Sequence, residues 1–129
     1  MEKQYVNEAW LVGIKNYKPA SGITQMEILE RHNLTDELFI PVAGESILVV
    51  AAELDGTLDF YAERMEISKI YCVGKGEWHN VVMRSDAKLV LVERPDTGMG
   101  NSEIRRLSEN ELARMKALVL NRTFNQTGE

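Results

Sequence analysis

The sequence predicts an all-β fold, a sandwich or barrel, followed by one C-terminal helix. Three observations carry this reading. Short apolar or alternating runs recur along most of the chain, each bounded by turn residues. One of those turns, Asp55-Gly56, is a strong hairpin signal. Helical spacing appears clearly only near the end, after Ser108.

Taken in order, Met1 to Tyr17 carries Tyr5, Trp10, Leu11, Val12 and Ile14 and reads as an entry strand with polar flanks. Pro19 and Gly22 interrupt pairing. From Ile23 to His32, Met26, Ile28, Glu30 and His32 share one parity, which suits a strand, although Met26 to Arg31 also fits a helix. Asn33 to Asp36 turns the chain. Leu38 to Val42 is a short strand whose Pro41 argues for an edge or for the strand's end. Ile47 to Ala52 is continuously apolar, the mark of a central strand covered on both faces. Thr57 to Tyr61 follows the hairpin turn, and Glu63 to Tyr71 leans towards strand.

Gly74 to Arg94 is the organising stretch. A glycine turn, Gly74-Lys75-Gly76, leads into Trp78-His79 and the apolar Val81-Val82-Met83. Ser85-Asp86 breaks the run and Lys88 to Glu93 resumes it, so the two segments read as a hairpin. Asp96 to Asn101 is a loop. Ser108-x-x-Glu111 is a capping box, and Leu112, Met115, Leu118 and Val119 form a stripe that covers the barrel or a dimer seam. The reading is one domain over residues 1–122, with the helix at about 108–122 and a flexible tail over 123–129.

Composition excludes several partners. The net charge of −5 argues against nucleic acid and against an anionic membrane surface. A few local cations can still hold a small anion. The single cysteine, Cys72, forbids an internal disulfide and fits a cytoplasmic location. No apolar run approaches transmembrane length.

Candidate chemistry gathers around the two histidines, His32 and His79. Glu30 and His32 point to one face of a strand, and Glu37 returns towards that face after the turn. A barrel that brings the distant His79 to the same place makes a titratable cluster. The plainer alternatives are a core histidine satisfied by backbone, and a Trp78 that only packs a wall.

These residues resemble the two motifs of the cupin superfamily. In the first, a His-x-His pair is followed by Glu and Gly; His32, Glu37 and Gly44 match and Glu30 replaces the first His. In the second, Pro-x-Gly-x-x-His is followed by Asn; Gly76 and His79 match, while Gly74 and Met83 stand at the other two positions. A closer likeness is to the ureidoglycolate lyases, in the segments Glu30-Arg31-His32, Phe39-Ile40-Pro41, Leu48-Val49-Val50-Ala51, Gly76-x-Trp78-His79 and Val92-x-Arg94. The resemblance implies a cupin-type β-barrel, a double-stranded β-helix. Cys72 and Asn80 stand where that family usually carries further histidines, and Glu37 where it usually carries an amide.

Three functions are weighed on this basis. The first is a C–N lyase of the ureidoglycolate type, with His79, His32 and Glu37 as catalytic residues and Arg94, Trp78 and Glu30 around the substrate. Elimination from a carbinolamide needs a base for the hydroxyl and an acid for the leaving nitrogen. The second is a metal-binding cupin, with His32, Glu37 and His79 holding a divalent ion. The third is a non-catalytic metabolite-binding or sensor cupin, which the reduced histidine set also fits. The ligand is a small anionic or ureido molecule in each case, and a homodimer is expected because sheet edges need cover.

Overall fold

The computed structural model describes residues 1–122. The expected tail over 123–129 lies outside the described residues. The strands are β1 (Glu2–Val6), β2 (Leu11–Asn16), β3 (Ile28–His32), β4 (Glu37–Ala43), β5 (Ser46–Leu54), β6 (Thr57–Arg64), β7 (Tyr71–Val73), β8 (Trp78–Met83), β9 (Lys88–Glu93) and β10 (Ser102–Arg106), followed by α1 (Glu109–Leu120). They form two five-stranded sheets, ordered β1-β2-β9-β4-β7 and β10-β3-β8-β5-β6. Every pairing is antiparallel. This is the mainly-β, cupin-type architecture with a C-terminal helix that the sequence predicts.

Two cores follow from strand alternation. Leu11, Phe39, Leu48, Val81, Met83, Leu89 and Leu91 belong to one cluster, between the sheets. Leu29, Ile47, Val49, Ala51, Trp78 and Val82 belong to the other, with Met115 and Val119 of the helix. Successive residues of β5 therefore serve different cores, which is why Ile47 to Ala52 has no polar face. The helix starts as its sequence dictates: Glu111 N–H donates to Ser108 Oγ at 3.1 Å, and Ser108 N–H donates to Glu111 Oε1 at 2.9 Å.

Several expectations need correction. The Gly74–Arg94 stretch is not a hairpin. β8 pairs with β3 and β5 in one sheet, and β9 with β2 and β4 in the other. Their inward residues Val81, Met83, Leu89 and Leu91 share the inner core instead of lying side by side. The corner between them passes so close to Gly44, at φ +67°, that a Cβ there would sit 2.5 Å from Asp86 backbone.

The N-terminal run is two strands, β1 and β2. Asn7 Oδ1 turns the chain by accepting from Ala9 and Trp10 N–H, each at 2.8 Å. Ile23 to Glu27 is not strand, because Gln25 and Met26 N–H bond back to Gly22 O and Met26 tucks into the outer core. The segment from Met65 to Ile70 is not strand either. Ser68 adopts φ +71°, and its N–H donates to Pro41 O at 3.0 Å. Pro41 itself lies beyond the three residues of β4 that pair with β7, so its missing N–H costs no ladder bond. β10 escapes sequence reading because Ser-Glu-Ile-Arg-Arg is a charged edge strand. It is held by Arg31–Glu103, Arg105–Glu53 and Arg106–Glu27 pairs, each at 2.9 Å.

Candidate functional site

The inner faces of β3, β4 and β8 converge near one end of the space between the sheets. Glu30 and His32 project from β3, Glu37 and Phe39 from β4, and His79 and Val81 from β8; all line a cavity of about 150 Å³. Glu30 is in register with His79, and this is where β3 meets β8. Asn80 strengthens that junction, donating from Nδ2 to Ile28 O at 3.0 Å.

The glycine turn before β8 ties the pieces together. Gly76, at φ +75°, donates its N–H to His32 O at 2.8 Å. Lys75 N–H donates to Asp36 Oδ1 at 3.0 Å. The turn that precedes His79 is thus bonded to the end of His32's strand and to the loop leading to Glu37.

The centre of the site is one carboxylate oxygen. Glu37 Oε1 lies 3.1 Å from His32 Nε2 and 3.1 Å from His79 Nε2. The two rings meet edge to face, with centroids 5.2 Å apart. His79 is 1% exposed and Glu37 5%. The far side of each ring is also engaged: His79 Nδ1 lies 3.0 Å from Glu77 O, and His32 Nδ1 lies 2.8 Å from Ser102 Oγ. A carbonyl only accepts, so His79 Nδ1 donates to Glu77 O, and Nε2 must carry a proton as well to donate to the ionised Glu37. The Ser102 hydroxyl can donate or accept and leaves His32 free to change state.

Electrostatics separate two carboxyl groups at close quarters. Burial pushes Glu37 up, but hydrogen bonds from His32 and His79 and their charge outweigh it and hold the group down at about 2. Glu93, at the end of β9, is pushed up to about 8 by burial and by the adjacent Glu37 charge. The Glu37 hydrogen bond raises His32 above its ordinary value, against desolvation, with help from the Glu37, Glu30 and Glu93 charges. Side by side, then, are an ionised carboxylate, a carboxyl that keeps its proton at neutral pH, and an imidazole poised to titrate. That is the equipment for moving protons on a bound molecule.

The expected site residues do not all arrive. Glu30, His32, Glu37 and His79 come together. Trp78 does not, because it alternates with His79 and faces the outer core, under the Arg31 guanidinium at 4.4 Å from its ring centre. Its indole N–H has no partner among the described residues. Arg94 is also elsewhere: its guanidinium holds Asp96 at 2.9 and 3.1 Å, and its N–H donates to Thr35 Oγ1. It staples two surface loops and does not line the cavity. Sequence reasoning missed Lys15, Glu93 and Ser102. For Glu93 a signal existed, since it shares the parity of the inward Leu89 and Leu91.

Among the described residues two donor groups have the proximity a metal ion needs: Glu30, His32 and His79, and His32, Glu37 and Glu93, each with ligand atoms within 4.8 Å of one another. Imidazoles fixed through Nδ1 present Nε2 to a shared centre, which is the usual arrangement behind metal-binding histidines.

Residues 1–112 match the family model described as ureidoglycolate lyase. No curated protein matches the chain. Among solved structures, the fold is similar to that of Streptomyces PAC13 with uridine, with a TM-score of 0.60 and 14% identity over 83% of this chain and 77% of that one. Another PAC13 structure, described as that of a nucleoside dehydratase, gives a TM-score of 0.60 and 14% identity over 83% and 78%. An uncharacterized conserved protein with a double-stranded β-helix domain from Klebsiella pneumoniae gives a TM-score of 0.50 and 16% identity over 81% and 82%. At these identities the likeness is one of fold.

Proposed function

The chain belongs to the ureidoglycolate lyase family, and on that premise we propose that it cleaves the C–N bond of a ureido acid, releasing urea and an α-keto or aldehyde acid. The observation that carries the proposal is the carboxylate oxygen of Glu37 held 3.1 Å from both imidazoles, inside a cavity.

In ureidoglycolate a hydroxyl and a ureido nitrogen share one carbon. Neutral His32, whose Nε2–H stays on Glu37, takes the hydroxyl proton at Nδ1 through the Ser102 hydroxyl, and the oxygen's electrons form the new C=O bond. The C–N bond breaks towards nitrogen, and Glu93 supplies the proton that makes neutral urea. Glu37 stays ionised, orients both rings and stabilises His32 when it is charged; His79, locked by Glu77 O, anchors Glu37. The acid is thus Glu93 and not Glu37, whose reactive oxygen is already engaged by two rings. Mixing the purified protein with ureidoglycolate and following glyoxylate tests this directly. Release no faster than the uncatalysed background removes the lyase reading.

A second reading is favoured by the same Nδ1 contacts. His32 and His79, with Glu37, Glu30 or Glu93, would hold a divalent transition metal and supply a Lewis acid beside the substrate. Elemental analysis of protein purified without chelator separates the two: about one metal per chain supports the metal site, and none supports the metal-free acid–base centre.

A further inference from the structure

The ureido acids of the proposed reaction are anions, yet the cavity is walled by Glu30, Glu37 and Glu93. An anion entering such a space is repelled unless a cation meets it. Arg94, the expected cation, is engaged by Asp96, and Arg31 is stacked on Trp78, so neither arginine is there to do so.

On β2, Leu11, Gly13 and Lys15 share one parity. Leu11 is part of the core between the sheets. Gly13 is buried with the Met1 side chain packed where its Cβ would be. Lys15 is the next residue on that face, and it lines the cavity half-buried. It is the one lysine or arginine among the described residues that line the cavity. Among the described residues it makes no ion pair and no side-chain hydrogen bond, although three carboxyl groups share its cavity. A half-buried ammonium with no anion assigned to it is costly unless something else satisfies it.

Its position adds to this. Lys15, Glu30 and Asn80 line both the cavity and a groove outside it that also carries Lys18. Lys15 therefore stands in the wall between cavity and solvent, where an incoming anion passes a second lysine first.

We propose that Lys15 is the substrate-binding residue that seats the carboxylate of a ureido acid, fixing its other end towards His32 and His79. This rests on the lyase reading and names the group that selects a carboxylate-bearing substrate. Lysine acts here as a point charge with rotatable donors, so arginine should substitute in part.

The test uses N-carbamoylglycine, which has the carboxylate and the ureido group but no hydroxyl, so it binds without reacting. Calorimetry compares the unaltered protein, Lys15→Met and Lys15→Arg, with the uncharged amide of the same compound as control; thermal melting checks that each variant is folded. The expected result is binding to the unaltered protein, a loss of at least about tenfold in Lys15→Met, partial recovery in Lys15→Arg, and equal, weak binding of the amide to all three. Unchanged affinity for N-carbamoylglycine in Lys15→Met overturns the assignment of Lys15 while leaving the lyase reading intact. No binding to the unaltered protein removes the ureido-acid reading and this assignment with it.

Discussion

Replacing Glu37 by glutamine keeps the shape of the side chain and removes its charge. In the native protein the drop from the ordinary 4.5 to about 2 corresponds, at about 1.4 kcal/mol per tenfold change in proton affinity, to roughly 3 kcal/mol of stability at neutral pH. Because the folded value lies below the unfolded one, that contribution is complete above about pH 4.5 and is lost as pH falls towards 2. The two imidazoles lose a charge-assisted partner, while the variant no longer has to bury a carboxylate. The net expectation is a loss of about 2–4 kcal/mol at pH 7. Its dependence on pH is the sharper readout. His32 loses its largest raising influence and keeps the desolvation that lowers it, so it should titrate at a lower pH than in the native protein. A raised histidine stabilises below its unfolded value near 6.5 and loses that effect as pH rises through the folded value. The variant should therefore show less decline above pH 6.5 and less loss of stability between pH 4.5 and 2. Urea unfolding at closely spaced pH values, with the histidine Cε1–H resonances followed by NMR, measures both. If His32 titrates as before and the acid limb is unchanged, Glu37 does not govern this site and the electrostatic account is wrong.

Other outcomes follow from the same geometry. If Glu93 donates the proton to the leaving nitrogen, turnover should decline above about pH 8 as it ionises, and Glu93→Gln should lower kcat by about 10²–10⁴ and abolish that alkaline limb; a retained limb assigns it to another group. His79→Ala should eliminate turnover and, because the ring is 1% exposed, destabilise by about 2–4 kcal/mol in a denaturant melt. Arg94→Ala should leave KM within about twofold, since its guanidinium is committed to Asp96; a tenfold rise would return it to the substrate. Ser108→Ala should cost about 1 kcal/mol through the lost cap, with kinetics unaffected.

How much of the fold was legible depended on whether burial or polarity shaped each strand. β5 was plain because both of its faces are covered, one by the opposite sheet and one by α1. The helix was plain because its capping box and its apolar stripe agree. β10 was invisible: an edge strand held by Arg and Glu pairs has no apolar alternation to read. The hairpin expected between β8 and β9 failed for a different reason. Two apolar runs and a turn look alike whether the strands pair side by side or face one another across a core, and only long-range pairing with β3, β5, β2 and β4 decides between them.

The site was legible to the extent that parity was applied to every strand. On β3, parity puts Glu30 and His32 on one face and Arg31 on the other, which agrees with Arg31 lying outside on Trp78. The same rule on β8 makes Trp78 incompatible with His79. On β9 it makes Glu93, not Arg94, the continuation of Leu89 and Leu91. The expectation for Arg94 came from chemistry, because an anionic substrate asks for a cation, and chemistry without parity named a neighbour one residue too far along. Applied to β2, parity runs from Leu11 through Gly13 to Lys15 and reaches a cation that faces the cavity. What no single-strand rule supplies is the meeting of β3, β4 and β8 on one oxygen. That depends on the turn at Gly76 being bonded to His32 O, a contact between residues 44 positions apart.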